Sequence, residues 1–183
     1  MNKAEIIAYL TRLDNEISAP MHLYLYGSAV VILLDAPDRT SLDIDVAGPY
    51  SSGNMAEFEQ ASRRAGLPVN PDPTFQGNHI EWVGPVRLCL PPPHDKREGL
   101  LLWQGEKVTV RSGSAEDLVA SKLIRYDETD QADIQYLFAQ FSFDWRSVAE
   151  AVRRLPHPFK NDSVVLDNLA NLETDMRLWK SDL

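Results

Sequence analysis

The chain has 183 residues, 44% hydrophobic and 25% charged, the size of one ordinary domain that can bury a core without a disulfide or structural metal. Eighteen Lys plus Arg against 27 Asp plus Glu leave a net charge of −9, a balance that speaks against generic DNA binding; the local basic pairs Arg63-Arg64 and Arg153-Arg154 are modest. The longest apolar run, around residues 29–34, is far short of the ~20 residues of a membrane span. The charged N-terminal stretch lacks a signal-peptide core, and the single cysteine, Cys89, excludes an intrachain disulfide. A cytoplasmic protein without a membrane partner is expected.

In chain order, Ile6, Leu10, Leu13 and Ile17 recur with helical spacing and predict an amphipathic helix over residues 3–18. A short strand at 22–26 runs directly into Gly27-Ser28 and an apolar helix ending near Asp35, with Pro37 and the following polar residues as its stop. Residues 42–46 alternate as a strand. Residues 54–65 read as a helix closed by Gly66, and 69–77 as a loop. Strands are expected at 79–83 and 86–90, the second holding Cys89 as a small buried hydrophobe, before the stiff surface triplet Pro91-Pro92-Pro93. Residues 100–103 and 107–110 form a hairpin.

From Ser114, an N-cap candidate followed by Glu116 and Asp117, the pattern is helical. Helices are predicted to about Tyr126, over 130–140, over 145–155 and from about Ser163, the last with Val165, Leu169, Leu172, Met176 and Trp179 on one face. The fold class is therefore α+β: one domain over 1–183, with a mixed sheet flanked by helices in about 1–111 and a helical C-terminal part in about 112–183.

Asp43 and Asp45 project from one face of their strand, because side chains alternate with period two. Two carboxylates one pleat apart repel each other unless a cation lies between them, and all-oxygen donors suit Mg²⁺. An acidic solvent face on an edge strand is the structural alternative. The D-x-D pattern also occurs in dehalogenase-type phosphatases and in glycosyltransferases. Against these, Ala47 stands two past the second Asp and no later Gly-Asp-x-x-x-Asp appears, and the chain is short without repeated βαβ units. Gly27-Ser28, at a strand-to-helix turn, offers backbone N–H groups and a hydroxyl to an anion; a plain capped turn is the alternative. Strand, Gly-Ser, helix and paired Asp together suit a metal-bound nucleoside triphosphate.

Residues 23–48, LYLYGSAVVILLDAPDRTSLDIDVAG, and 114–137, SAEDLVASKLIRYDETDQADIQYL, resemble the nucleotidyltransferase superfamily that includes DNA polymerase β. More narrowly they resemble the AbiEii-like branch of small bacterial enzymes, some of which are toxins of toxin–antitoxin pairs. The resemblance covers about residues 20–140. It implies a minimal nucleotidyltransferase fold and an enzyme that moves a nucleoside monophosphate from an NTP to an acceptor hydroxyl. The acceptor would be a protein, a tRNA 3′ end or a small molecule, and an antitoxin is an implied partner. Asp43 and Asp45 would hold Mg²⁺, two ions in the superfamily's manner, with Glu81 as a third carboxylate. Gly27 and Ser28 would cradle phosphates, Lys122 and Arg125 would meet the triphosphate, and Asp133 or Asp130 would orient the reaction. On a helical wheel Lys122 lies beside the buried face, so snorkelling is its structural alternative; for Asp130 and Asp133 the alternative is an N-cap and exposed acidic turn. Glu81 could equally face solvent on an edge strand, and Arg39 and Arg87 are further candidates for offsetting phosphate charge. A non-catalytic nucleotide-binding or interaction module on the same fold is the competing reading.

Overall fold

The structure, a computed structural model, describes residues 1–95 and 99–181, the side chains of 180 and 181 excepted. The chain forms two compact units, Met1–Leu88 with Lys96–Ser112, and Cys89–Asp95 with Gly113–Leu183. The boundary after Ser112 falls where strands give way to helices.

In the first unit, α1 (Lys3–Glu16) starts with a capping box: the Asn2 side chain accepts from Glu5 N while Glu5 accepts from Asn2 N. Its apolar stripe, Ile6, Leu10, Leu13 and Ile17, is buried. There follow β1 (Met21–Tyr26), α2 (Ser28–Leu33), β2 (Asp43–Ala47), α3 (Met55–Ala65), β3 (His79–Val83), β4 (Leu100–Gln104) and β5 (Val108–Ser112). The five strands make one mixed sheet in the order β3-β2-β1-β5-β4. β1 is parallel to β5 and antiparallel to β2, β2 is parallel to β3 through the α3 crossover, and β4 and β5 form the expected hairpin. Ile44, Val46 and Ile80 are buried, and the Phe58 ring of α3 packs on Trp82 of β3 at 5.1 Å. That packing marks the helix-covered face and leaves Asp43, Asp45 and Glu81 on the other.

In this unit α2 ends near Asp35 as expected, though by a different device, and one expected strand is absent. α2 stops before Pro37: Asp35 adopts φ +74, and Ala36 N donates back to Val31 O while Asp35 N donates to Ile32 O. A left-handed cap of Schellman type thus ends the helix. Residues 86–90 are not a strand. Arg87 N and Leu88 N both donate to Gly84 O, so the turn begun by Gly84-Pro85 takes the donors a ladder would need. Val86 is accordingly exposed, and Cys89 is half-buried in irregular chain rather than in a sheet.

Asp14, near the end of α1, fastens the hairpin. Its carboxylate accepts from the backbone N–H groups of Glu106, Lys107 and Val108 at 3.0, 2.9 and 2.7 Å. Burial alone would raise this carboxyl, but the three donors and the Lys107 charge outweigh it and hold it below the usual carboxylate range.

The second unit holds α4 (Ala115–Lys122), α5 (Glu128–Phe141), α6 (Trp145–Arg153) and α7 (Ser163–Ser181). α4 has the expected Ser114 cap, in a capping box with Asp117. It ends at Lys122 rather than Tyr126, because Tyr126 turns left-handed at φ +56 and Asp127 then caps α5. Asp117 is buried and also ion-paired to Arg154; burial raises its carboxyl despite that partner. The α7 residues Val165, Leu169, Leu172 and Met176 are buried as a stripe. Among the described residues no helix is long and apolar enough to cross a membrane.

Candidate functional site

Strand register assembles the acidic site. β2 pairs with β3 in parallel with Asp45 opposite Glu81 and Ile44 opposite Ile80. The two-residue period puts Asp43 on the same face as Asp45. All three carboxylates are half-buried, and one oxygen from each lies within 4.8 Å of the others. Ser41 Oγ donates to Asp43 Oδ1 at 2.7 Å and fixes that carboxylate's orientation. Ser41 was not singled out from sequence, although a Ser two residues before an Asp is a recognisable local hydrogen-bonding pattern.

β1 delivers Gly27 to the same place. Tyr26 is the register partner of Asp45, so the next residue turns over the acidic face. Gly27 has φ +71, and a Cβ there would collide with Asp45 Oδ2. Only glycine permits both the backbone conformation and the carboxylate's position. Ser28 follows, and its Oγ accepts from Arg39 Nη2 at 2.8 Å. Arg39 borders a cleft of about 460 Å³ whose lining includes Asn2, Lys3, Asp35, Asp38 and Thr40. Arg87 pairs with Glu81.

The residues present fit a divalent cation. Their donors are oxygen only, as Mg²⁺ prefers, and at metal–oxygen distances of about 2.1 Å octahedral ligands stand about 3 Å apart when adjacent and about 4.2 Å apart when opposite. The three donor oxygens lie within 4.8 Å of one another, and the missing Cβ at Gly27 leaves room for the Asp45 carboxylate among them.

In the second unit, Lys122, Asp130, Asp133 and Arg125 come together. Lys122 Nζ lies 2.6 Å from Asp133 and 3.3 Å from Asp130, with its side chain 6% exposed. Arg125, on the surface, donates twice to Asp130 at 2.9 and 3.1 Å and pairs with Asp127. Its hydrogen bonds to Asp130 are the main cause that raises Arg125 above its ordinary value. The α5 cap is Asp127, whose side chain accepts from Asp130 N, so both Asp130 and Asp133 are buried ion-pair partners rather than an exposed turn. The basic pairs noted in the sequence are each tied to an acid: Arg64 to Glu16 and Arg154 to Asp117.

Residues 5–155 match the model of a protein family described as "Nucleotidyltransferase of unknown function (DUF6036)". Searches of curated proteins and of solved structures gave no significant match.

Proposed function

The chain belongs to this nucleotidyltransferase family, and from that premise we propose that it is a Mg²⁺-dependent enzyme transferring a nucleoside monophosphate from an NTP to an acceptor hydroxyl. The observation that supports this most directly is the convergence of Asp43, Asp45 and Glu81 beside Gly27 on one face of the sheet.

Asp43, Asp45 and Glu81 would hold the Mg²⁺ ions, two in the manner of the superfamily. Mg²⁺ bound there supplies charge neutralisation at the phosphate oxygens and activation of the attacking hydroxyl. The acceptor oxygen forms a bond to the α-phosphorus as the bond to the bridging oxygen breaks. Pyrophosphate leaves with that electron pair, and the hydroxyl proton passes to solvent. Gly27 and Ser28 contact the outer phosphates, with Arg39 keeping the Ser28 hydroxyl in place. Resemblance, rather than any distance, assigns Lys122 and Arg125 to the triphosphate charge and Asp133 to orienting it.

The acceptor is a protein, a tRNA 3′ end or a small molecule in the cytoplasm, and the net charge of −9 favours the protein or small molecule. A toxin role, with an antitoxin partner, completes the proposal and follows the AbiEii-like resemblance. The test is incubation with each α-labelled NTP, Mg²⁺ and cell extract. Label transferred to an acceptor by the wild type and not by Asp43→Asn/Asp45→Asn supports the reading. Nucleotide binding without label transfer or pyrophosphate release overturns it. Growth arrest on expression of the wild type, absent with the double variant, would support the toxin role, and unaffected growth would count against it.

A further inference from the structure

Glu81 already has a cation beside it. Arg87 Nη2 donates to Glu81 Oε1, reaching back from the turn in which Arg87 N and Leu88 N close on Gly84 O. The two partners are unequally held: the Arg87 side chain is 75% exposed and the Glu81 side chain 26%. The guanidinium therefore rests on the carboxylate from the solvent side and can leave it without disturbing the core. Glu81 is at the same time one of three carboxylates within 4.8 Å of one another, where a single positive charge relieves part of their mutual repulsion.

We propose that Arg87 stands in for the divalent cation at Glu81 and is itself a triphosphate-binding residue. When the ion enters, Arg87 gives up that carboxylate and turns its planar guanidinium to the triphosphate, a group it matches in geometry and charge. This rests on the metal-site reading above. The proposal predicts two effects of opposite sign. Loss of Arg87 removes a competitor for Glu81 and so tightens binding of the bare ion, while it removes a phosphate ligand and so weakens binding of a triphosphate. An arginine that merely stabilised the turn would not produce that crossed pattern.

The experiment is calorimetric titration of the full chain, wild type, Arg87→Ala and Arg87→Lys, first with Mn²⁺ alone and then with inorganic tripolyphosphate at saturating Mn²⁺. Arg87→Ala is expected to bind Mn²⁺ roughly two- to five-fold more tightly, the scale of an exposed ion pair, and tripolyphosphate several-fold more weakly. Arg87→Lys is expected to fall between it and the wild type. Mn²⁺ affinity that does not rise in Arg87→Ala, or tripolyphosphate affinity that does not fall, overturns the proposal. The metal-site reading then still stands, provided that the wild type binds Mn²⁺ and Asp43→Asn/Asp45→Asn does not. A wild type that fails to bind Mn²⁺ overturns the metal-site reading itself, and this inference with it.

Discussion

Asp43→Asn is expected to make the metal-free chain more stable while removing its response to metal. The substitution keeps the side chain's shape, and the amide oxygen it introduces still accepts from Ser41 Oγ, which lies 2.7 Å from Asp43 Oδ1. What it removes is charge. At the 4.8 Å that bounds the three ligand oxygens, one pair of unit charges repels by about 0.9 kcal/mol in water, and more where solvent is partly excluded. Asp43 has two such neighbours, and Arg87 beside Glu81 together with salt offsets part of the repulsion. A net gain of about 1 kcal/mol remains, equivalent to roughly 2–4 °C in melting temperature for a chain of this size. In the wild type, Mg²⁺ at about one hundred times its Kd adds about 2.7 kcal/mol. Thermal unfolding in EDTA and in Mg²⁺ checks both halves: the variant starts higher than the wild type and stays where it is when Mg²⁺ is added. A variant that melts lower in EDTA and rises with Mg²⁺ as much as the wild type would refute the reasoning.

Gly27→Ala should lower stability by at least about 1 kcal/mol, because alanine is strained at positive φ and its Cβ would displace Asp45 Oδ2; urea unfolding and Mn²⁺ titration should both register the loss. Lys122→Met should cost about 3–5 kcal/mol by leaving the buried Asp130 and Asp133 without their shared cation, and adding Asp133→Asn should recover part of that in the same unfolding assay. Asp14→Asn turns an amide toward hairpin N–H donors and should cost about 2 kcal/mol at neutral pH. The Asp14 carboxyl lies below its unfolded value, so its contribution is fully present above about pH 4 and is lost as pH falls through the folded value. The stability gap between wild type and Asp14→Asn should therefore narrow in acid, and a gap that is constant from pH 7 to pH 2.5 would count against the assigned role.

Local patterns carried much of this protein in its sequence. The two-residue period of a strand places Asp43 and Asp45 on one face whatever lies beside them. The caps at Ser114 and Gly66 and the stripes of α1 and α7 depend on residues within a few positions of one another, and a Gly-Ser between strand and helix marks a turn without reference to the rest of the chain. Pairing across the sequence was not legible in this way. Glu81 could as well have faced solvent until the parallel register of β2 and β3 set it opposite Asp45, and a one-residue slip would have turned it to the other face. The apolar residues 86–90 have strand composition, yet the backbone donors of Arg87 and Leu88 are taken by Gly84. Lys122 could be placed beside the buried face from its wheel position, but its two partners depended on how α5 packs against α4. Side-chain direction follows from the bonds along the chain, whereas partners are chosen by which distant segments bury each other's apolar faces, and only the folded arrangement decides that.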